Sequence, residues 1–286
     1  MITKKILKYL KILGSIIHTL PSRIIFGNTV QLKFNLLPML DNLRTKSTSK
    51  KFSPINENGF LKINNSSDKE LLDKIVTKYN KYIDDPNFSS ITANLKKKFL
   101  LDPVKNIPEL KMLIPTIKDH LINYYGNDFV IKQVRAFRNY SDESISWERE
   151  KYIYSNLWHC DDFKTNILKV FVLLNDEINK DTGCTRVIDR KNSSKLMRSF
   201  KFKHTSLVNR KFDDYVVRNK LITYCEGNIG DVFIINTTQC LHAASIPKLG
   251  VHRDVVVFET YPVTNLKKDL FDLSRDEEVH SHLRPN

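Results

Sequence analysis

Three residues of this sequence have the types and the spacing of a metal site. His159 and Asp161 are separated by one residue, so in an extended segment their side chains project from the same face. Two protein ligands do not complete an iron site, and His242 is the best candidate for the third. Two histidines and one carboxylate on one side of a metal, with the other positions open, are what a non-haem iron(II) oxygenase requires. The sequence therefore predicts a metal site made by these three side chains.

A basic residue, Arg253, follows the distal histidine eleven positions later. Proline and glycine within residues 247–250 predict a turn, which would bring Arg253 opposite His242. A guanidinium beside a metal is suited to binding a carboxylate through two parallel hydrogen bonds. The alternative is a surface ion pair with Asp254 or Glu259, but the apolar run around Arg253 favours a buried position.

The order of these motifs resembles that of one enzyme family. The motifs are W-H-x-D, the strand L-K-V-F-V-L-L, then G-C-T-R-V-I, G-D-V-F-I-I-N and H-x10-R. Over about residues 127–262 they are similar to the phytanoyl-CoA dioxygenase-like Fe(II)- and 2-oxoglutarate-dependent oxygenases. A single H-x-D pair recurs by chance, whereas the ordered set is much more specific. The resemblance implies a mainly β fold with supporting helices, built on a double-stranded β-helix of the jelly-roll or cupin-like kind.

The resemblance also implies a reaction. The three metal ligands would hold Fe(II), Arg253 would anchor 2-oxoglutarate as cosubstrate, and O2 would be consumed. Succinate and CO2 would be released while a C–H bond of a small-molecule or lipid-linked substrate is hydroxylated. No catalytic residue beyond the metal site is predicted. The choice of substrate would depend on two candidate loops, residues 139–156 and 189–220, of which the second shows no clear periodicity.

The second contact to 2-oxoglutarate departs from the family pattern. Related enzymes often place a hydroxyl two residues after the distal histidine, where this chain has Ala244, and Ser245 follows one position later. Ser245 is therefore a candidate contact. Lys169 is another, because it interrupts an apolar strand and a buried ammonium needs an anion. Lys169 would pair with the distal carboxylate of 2-oxoglutarate if it faces inward, or reach water if its strand lies at a sheet edge.

Composition limits the partners that the chain can have. A length of 286 residues allows one sizeable core and a smaller helical part. A net charge of +14 favours anionic partners, such as a phospholipid surface or an acidic substrate. No motif that alternates aromatic and basic residues accompanies this charge, so nucleic acid is not predicted as a partner. The four cysteines form no C-x-x-C pair, which predicts reduced thiols in a cytoplasmic protein.

The N-terminal segment, residues 1–20, has an apolar stripe at helical spacing beside four lysines. Such a helix either packs on the protein or lies on an anionic membrane surface, which would make the protein peripheral to a membrane. The whole chain divides into four predicted parts: an amphipathic N-terminal helix (1–26), a helical supporting region (27–126), the oxygenase core (127–262) and a charged C-terminal tail (263–286).

Two other functions fit the same residues. A cupin-like metal oxygenase would use the metal ligands without 2-oxoglutarate, and Arg253 argues against it. A binding or scaffold protein would keep the β-helix but be catalytically silent, and the alanine at position 244 leaves room for that reading. Formation of succinate from 2-oxoglutarate would separate the enzyme from the scaffold.

Overall fold

The structure used here is a computed structural model. Two predictions fall outside the residues that it describes: the amphipathic helix at 1–26 with its membrane contact, and most of the charged tail. Most of the candidate loop 139–156 also lies outside them. Within the described residues, no helix is long and apolar enough to cross a bilayer. The described residues are 53–64, 67–92, 97–141, 157–161, 167–200, 210–263 and 269–273.

Two antiparallel sheets carry the described part of the chain. The strands are β1 Phe60–Ile63, β2 Ser89–Thr92, β3 Lys97–Leu100, β4 Phe129–Tyr140, β5 Leu168–Leu173, β6 Thr185–Val187, β7 Thr223–Tyr224, β8 Val232–Ile235, β9 His242–Ala244 and β10 His252–Pro262. The large sheet has the order β1-β8-β5-β10-β4-β3-β2, and the small sheet has the order β7-β6-β9. Apolar side chains from both sheets form a shared core between them, so the sheets face each other.

The central strand β10 shows how this arrangement follows from the sequence. It pairs with β4 on one side and β5 on the other, and residues 253–260 are all buried. Alternate side chains point to opposite faces of a strand. Val255 and Val257 therefore pack between the sheets, whereas Val256 and Phe258 pack in the core beneath the helices. A strand covered on both faces needs the continuous apolar run that the sequence has here.

Helices cover the outer faces of both sheets. They are α1 Pro54–Asn58, α2 Lys69–Ile83, α3 Pro103–Asn106, a 3-10 helix Pro108–Leu113, α4 Ile114–Tyr125, α5 Arg190–Ser199 and α6 Arg210–Arg218. Helix α2 begins after Asp68, whose carboxylate accepts a hydrogen bond from the backbone N–H of Glu70, and α4 ends at Gly126 with φ 68. Helices α2 and α4 pack on the large sheet. Helices α5 and α6 pack around Trp158 on the outside of the small sheet.

Two expectations about local structure need correction. Only supporting helices are expected in residues 27–126, yet β1, β2 and β3 from this region extend both edges of the large sheet. These strands have four residues each, too few for an alternating pattern to be recognised. A loop is expected in residues 189–220, yet α5 and α6 form there, because small apolar clusters such as Phe212 and Val216 recur one turn apart. The division of the chain at residue 126 stays a prediction.

The turn predicted at residues 247–250 does not make a hairpin. Strand β9 pairs with β6 in the small sheet, whereas β10 pairs with β4 and β5 in the large sheet. The chain therefore crosses from one sheet to the other at this turn. Arg253 does not lie opposite His242 on a neighbouring strand, as the turn suggests, but approaches the interior from the facing sheet.

A partly buried ion pair fixes the start of β10 from the outside. Arg138 donates two hydrogen bonds to the carboxylate of Asp254, with lengths of 2.8 and 2.9 Å. The hydroxyl of Tyr79, on α2, donates a third at 3.1 Å. Because neighbouring residues of a strand point to opposite faces, this network on Asp254 holds the backbone that directs Arg253 inward.

Candidate metal centre

A pair of backbone hydrogen bonds brings the two predicted histidine ligands together. The N–H of His159 donates to the carbonyl of His242 at 3.1 Å, and the N–H of His242 donates back at 2.9 Å. Their ring centroids lie 4.2 Å apart. The backbone N–H of Asp161 donates to the carbonyl of Thr237 at 2.8 Å, which fixes the carboxylate beside the rings. One ligand atom from each of the three predicted residues lies within 4.8 Å of the other two.

Both imidazoles are held in the tautomer that a metal ligand needs. Nδ1 of His159 donates to the carbonyl of Leu157 at 2.7 Å, and Nδ1 of His242 donates to the carbonyl of Cys240 at 3.0 Å. A carbonyl oxygen only accepts, so the hydrogen resides on Nδ1 in each ring. The lone pair is then on Nε2, and these two Nε2 atoms lie 3.9 and 3.8 Å from the Asp161 carboxylate. Hydrogen bonds of this kind orient metal-binding histidines in proteins.

The ionisation states of the three side chains also suit a metal. Burial lowers the pKa of His159 to about 3, and burial lowers the pKa of His242 as well. Both rings are therefore neutral near pH 7. Burial alone would raise the pKa of Asp161, but Lys169 and His242 outweigh it and hold that pKa well below its usual value. Two neutral imidazoles and one carboxylate are the donor set of non-haem iron(II) sites, so the residues present fit that metal.

Lys169 faces the interior beside the metal ligands. Its strand, β5, lies between β8 and β10, so the alternative of an edge strand reaching water is wrong. The ammonium is buried and its Nζ lies 2.6 Å from Oδ2 of Asp161. The anion that the sequence requires for this lysine is thus supplied by a metal ligand. A contact between Lys169 and 2-oxoglutarate stays a prediction.

Arg253 is a buried cation with little to neutralise it. Its side chain donates from Nη1 to the hydroxyl oxygen of Thr185 at 2.7 Å. Among the described residues, Nε has no hydrogen-bond partner and no carboxylate lies within ion-pair distance. Burial lowers the pKa of Arg253 to about 10, so the guanidinium is still charged at neutral pH. The alternative of a surface ion pair is therefore wrong, and a buried charge of this kind calls for an anionic ligand.

One contact of Arg253, with Thr185, was not predicted from the sequence. Thr185 carries the hydroxyl that contacts the guanidinium, whereas Ala244, where the sequence resemblance leads one to expect a hydroxyl, has no polar side chain. The only sequence signal for Thr185 is its place in the strand G-C-T-R-V-I, whose pairing partner cannot be read without the fold. The candidate Ser245 is also buried, and its Oγ lies 3.8 Å from the Sγ of Cys184. A contact between Ser245 and 2-oxoglutarate stays a prediction.

A basic cluster extends from the metal ligands, with two buried and two half-buried members. We define it as Lys97, Arg135, Lys169 and Arg253. Burial, followed by repulsion from the other three members, lowers the pKa of Lys97 to about 7. Both Lys97 and Arg253 lie near the ring of Phe137: Nζ of Lys97 is 5.0 Å from the ring centroid and Cζ of Arg253 is 6.0 Å from it. The described carboxylates that pair with the cluster are Asp161, with Lys169, and Glu259, whose Oε2 lies 4.0 Å from Nη2 of Arg135.

Comparison with known proteins identifies the architecture. No protein-family model and no curated protein matches the sequence. Solved structures do match: the alpha ketoglutarate dependent carbocyclase SnoK from nogalamycin biosynthesis superposes with a TM-score of 0.56 at 13% identity, covering 84% of this chain and 93% of that chain. EctD from S. alaskensis, with 2-oxoglutarate and 5-hydroxyectoine, gives 0.54 at 14% identity over 78% and 82%. The epimerase SnoN gives 0.52 at 10% identity over 79% and 84%.

This chain is a double-stranded β-helix. The fold predicted from the sequence is confirmed by these superpositions and by the two facing antiparallel sheets. His242 belongs to β9 of the small sheet, and His159 lies in the segment 157–161, which pairs with β9. Lys169 and Arg253 belong to the large sheet. The candidate site therefore lies between the sheets.

We predict that the metal-free protein loses stability as the pH falls below about 6.5, the ordinary pKa of histidine. The folded-state pKa values of His159 and His242 are lowered, so only the unfolded chain takes up these protons. Each histidine then lowers the free energy of unfolding with a slope approaching about 1.4 kcal/mol per pH unit. Asp161 has a lowered folded-state pKa and adds to the loss only below about pH 4. Urea unfolding with a chelator, from about pH 7 to 5, measures the slope.

The matched control for this prediction is His159→Gln, which removes one of the two titrating rings. Its slope should be about half that of the unaltered protein, by the same linkage relation. Equal slopes in the two proteins would mean that His159 is not a source of the acid sensitivity.

Proposed function

We propose that this protein is an Fe(II)- and 2-oxoglutarate-dependent dioxygenase that hydroxylates a C–H bond of a small-molecule substrate and releases succinate and CO2. One observation carries the proposal: buried His159 and His242 converge with half-buried Asp161 in their ligand forms, and a buried, charged Arg253 on the facing sheet has no carboxylate partner among the described residues. The fold supports it, because SnoK and SnoN are described as alpha ketoglutarate dependent and EctD is described with 2-oxoglutarate.

Each side chain has a separate part in this proposal. The two histidines, through Nε2, and one oxygen of Asp161 would hold Fe(II). Iron and 2-oxoglutarate, when bound, supply the oxidising chemistry with O2. Lys169 keeps Asp161 ionised and holds its other oxygen, Oδ2, which favours binding of the metal through one carboxylate oxygen. Arg253 would bind the distal carboxylate of 2-oxoglutarate through charge-assisted hydrogen bonds.

The finer assignment to the phytanoyl-CoA dioxygenase-like enzymes rests on the order of the motifs. W-H-x-D precedes Lys169, G-C-T-R-V-I carries Thr185, and the distal histidine precedes Arg253 by eleven positions. All three motifs contribute a side chain to the candidate site. The serine or threonine expected at position 244 is the one departure, and it bears on how 2-oxoglutarate is held rather than on the metal.

The charge of the interior favours a substrate with a carboxylate or phosphate group. The basic cluster brings four basic side chains together, and repulsion from the other three contributes to the lowered pKa of Lys97. Fe(II) and the 2-oxoglutarate dianion would together add no net charge to the site, and the chain as a whole carries +14. Such a site attracts an anionic group and repels a cationic one. A lipid-linked phosphate is one source of that group, and residues 1–20 would bring the protein to an anionic surface, which co-sedimentation with anionic vesicles tests.

Measuring the succinate formed from 2-oxoglutarate decides between the proposed enzyme and two alternatives. A catalytically silent β-helix would bind metal or ligand without turnover, and a cupin-like oxygenase would react with O2 without consuming 2-oxoglutarate. Neither is favoured by a specific feature of the site, since the metal ligands are complete and Arg253 is buried and charged.

The proposed function predicts that the protein, loaded with Fe(II) under anaerobic conditions, forms succinate when 2-oxoglutarate and O2 are added. His159→Ala should bind less than stoichiometric Fe(II) and form no succinate above background, because one of three ligands is missing. Succinate is measured by mass spectrometry and bound iron by a colorimetric assay. Full iron occupancy in His159→Ala would contradict the ligand assignment.

The control for this assay is the fold of the variant, followed by circular dichroism and by its unfolding in the metal-free state.

Substrate charge is tested in the same assay, because a substrate accelerates consumption of 2-oxoglutarate. A panel of carboxylates and phosphates should accelerate it, whereas neutral or cationic analogues should not. Stimulation by cationic compounds alone would contradict the anionic substrate.

A second prediction concerns the cosubstrate anchor. Arg253→Leu should raise the dissociation constant of 2-oxoglutarate well over tenfold, because a hydrogen bond to a charged group contributes about 1.5–3 kcal/mol. Iron binding should persist, since Arg253 is not a ligand. Isothermal titration of the Fe(II)-loaded protein under anaerobic conditions measures both. Unchanged affinity for 2-oxoglutarate would make Arg253 structural and favour the cupin-like alternative.

A further inference from the structure

We propose that Thr185 supplies the second hydrogen bond to the distal carboxylate of 2-oxoglutarate, in place of the hydroxyl that is absent at position 244. The proposal rests on the proposed function and assigns a binding role to a residue that the motif order does not mark. In this proposal the hydroxyl is supplied from β6, the strand that pairs with β9, instead of from position 244 itself.

The register of the small sheet supports this exchange. Strands β6 and β9 are antiparallel, with Thr185 opposite Ala244 and Val187 opposite His242. Residues two apart on a strand share a face, so Ala244 projects from the same face as the metal ligand His242. Directly opposed side chains also share a face, with Cβ atoms about 4.5–5.5 Å apart. The hydroxyl of Thr185 is therefore about one strand spacing from the place where a serine at 244 would put it.

The bond between Arg253 and Thr185 leaves both groups able to bind an anion. Nη1 of Arg253 donates to the threonine oxygen at 2.7 Å, so the hydroxyl hydrogen remains available for donation. The guanidinium has further N–H groups, of which Nε–H is buried and has no described acceptor. One carboxylate can thus accept from the threonine O–H and from the guanidinium together, as in other charge-assisted anchors.

The backbone around Thr185 is fixed before any ligand binds. The carbonyl of Thr185 accepts from the N–H of Cys225 at 2.8 Å. The carbonyl of Cys184, the residue before Thr185, accepts from the N–H of Ser245 at 2.8 Å. Gly183, two residues earlier, has φ 93, and a Cβ added there would lie 2.6 Å from Pro247 in the turn between β9 and β10. This close approach holds the strand of Thr185 under the segment that leads to Arg253.

The test is the affinity for 2-oxoglutarate of the Fe(II)-loaded protein under anaerobic conditions, measured by isothermal titration. Thr185→Val removes the hydroxyl and keeps the shape of the side chain. It should raise the dissociation constant about tenfold or more, the effect of losing a hydrogen bond to a charged group. Thr185→Ser keeps the hydroxyl and should bind within about threefold of the unaltered protein. Iron stoichiometry and the thermal midpoint of the metal-free protein check that Thr185→Val is folded.

A relocated hydroxyl separates ligand binding from a purely structural role. Ala244→Ser added to Thr185→Val returns an O–H to the same face of the paired strand, and should recover most of the lost affinity. The probe 2-oxobutyrate, which has the metal-chelating end of 2-oxoglutarate but no distal carboxylate, should bind Thr185→Val and the unaltered protein equally. A change confined to 2-oxoglutarate would place the lost contact at the distal carboxylate.

Several results would overturn the assignment. Unaltered affinity in Thr185→Val would do so, and so would an equal loss of affinity for 2-oxobutyrate, which indicates general damage to the site. Ser245→Ala measures the competing hydroxyl, and a large loss there with none in Thr185→Val would assign the contact to Ser245 instead. If the unaltered protein does not bind 2-oxoglutarate at all, the proposed function fails and the role of Thr185 fails with it.

Discussion

The candidate site depends on the paired backbone hydrogen bonds between His159 and His242. These bonds join the short segment 157–161 to β9, and they set the two rings side by side although the residues are far apart in the sequence. The same backbone also fixes the tautomers, because each Nδ1 donates to a carbonyl two residues before its own position. Position and protonation of the donors are thus determined by main-chain geometry, and the metal would meet ligands that need little rearrangement.

Helices α5 and α6 support this segment from outside. The indole N–H of Trp158, the neighbour of His159, donates to Asp213 on α6 at 2.7 Å, and the guanidinium of Arg186 on β6 stacks 4.9 Å from the indole ring. Cys160 points the same way, and its Sγ lies 3.7 Å from the sulfur of Met197, so it projects away from the ligands. The outward residues on both sides of His159 are therefore anchored, which leaves this ligand to face inward.

Sequence reasoning predicted the β-helix, through the resemblance of its ordered motifs, and the convergence of the three metal-type side chains, because residue types and their spacing are local signals. It could not predict that β9 and β10 belong to different sheets, since a turn with Pro and Gly suits a hairpin and a crossover equally. For the same reason it missed Thr185, whose relevance comes only from lying opposite Ala244. Lys169 could not be assigned to a face from alternation alone, and the central place of β5 decides it.

The contact between Arg253 and Thr185 joins the large sheet to the small one, so the anchor for an anion exists only when the two sheets are held at a fixed spacing. Three features maintain that spacing: the shared apolar core between the sheets, the close packing of Gly183 on Pro247, and the Arg138–Asp254 pair behind Arg253. Because sheets pack about 10 Å apart, the side chain of Arg253 must cross that gap to meet Thr185, and the two would hold an acidic group between the sheets at a fixed distance from His242. The distance between the sheets, more than any single side chain, would therefore set which dicarboxylate this site accepts.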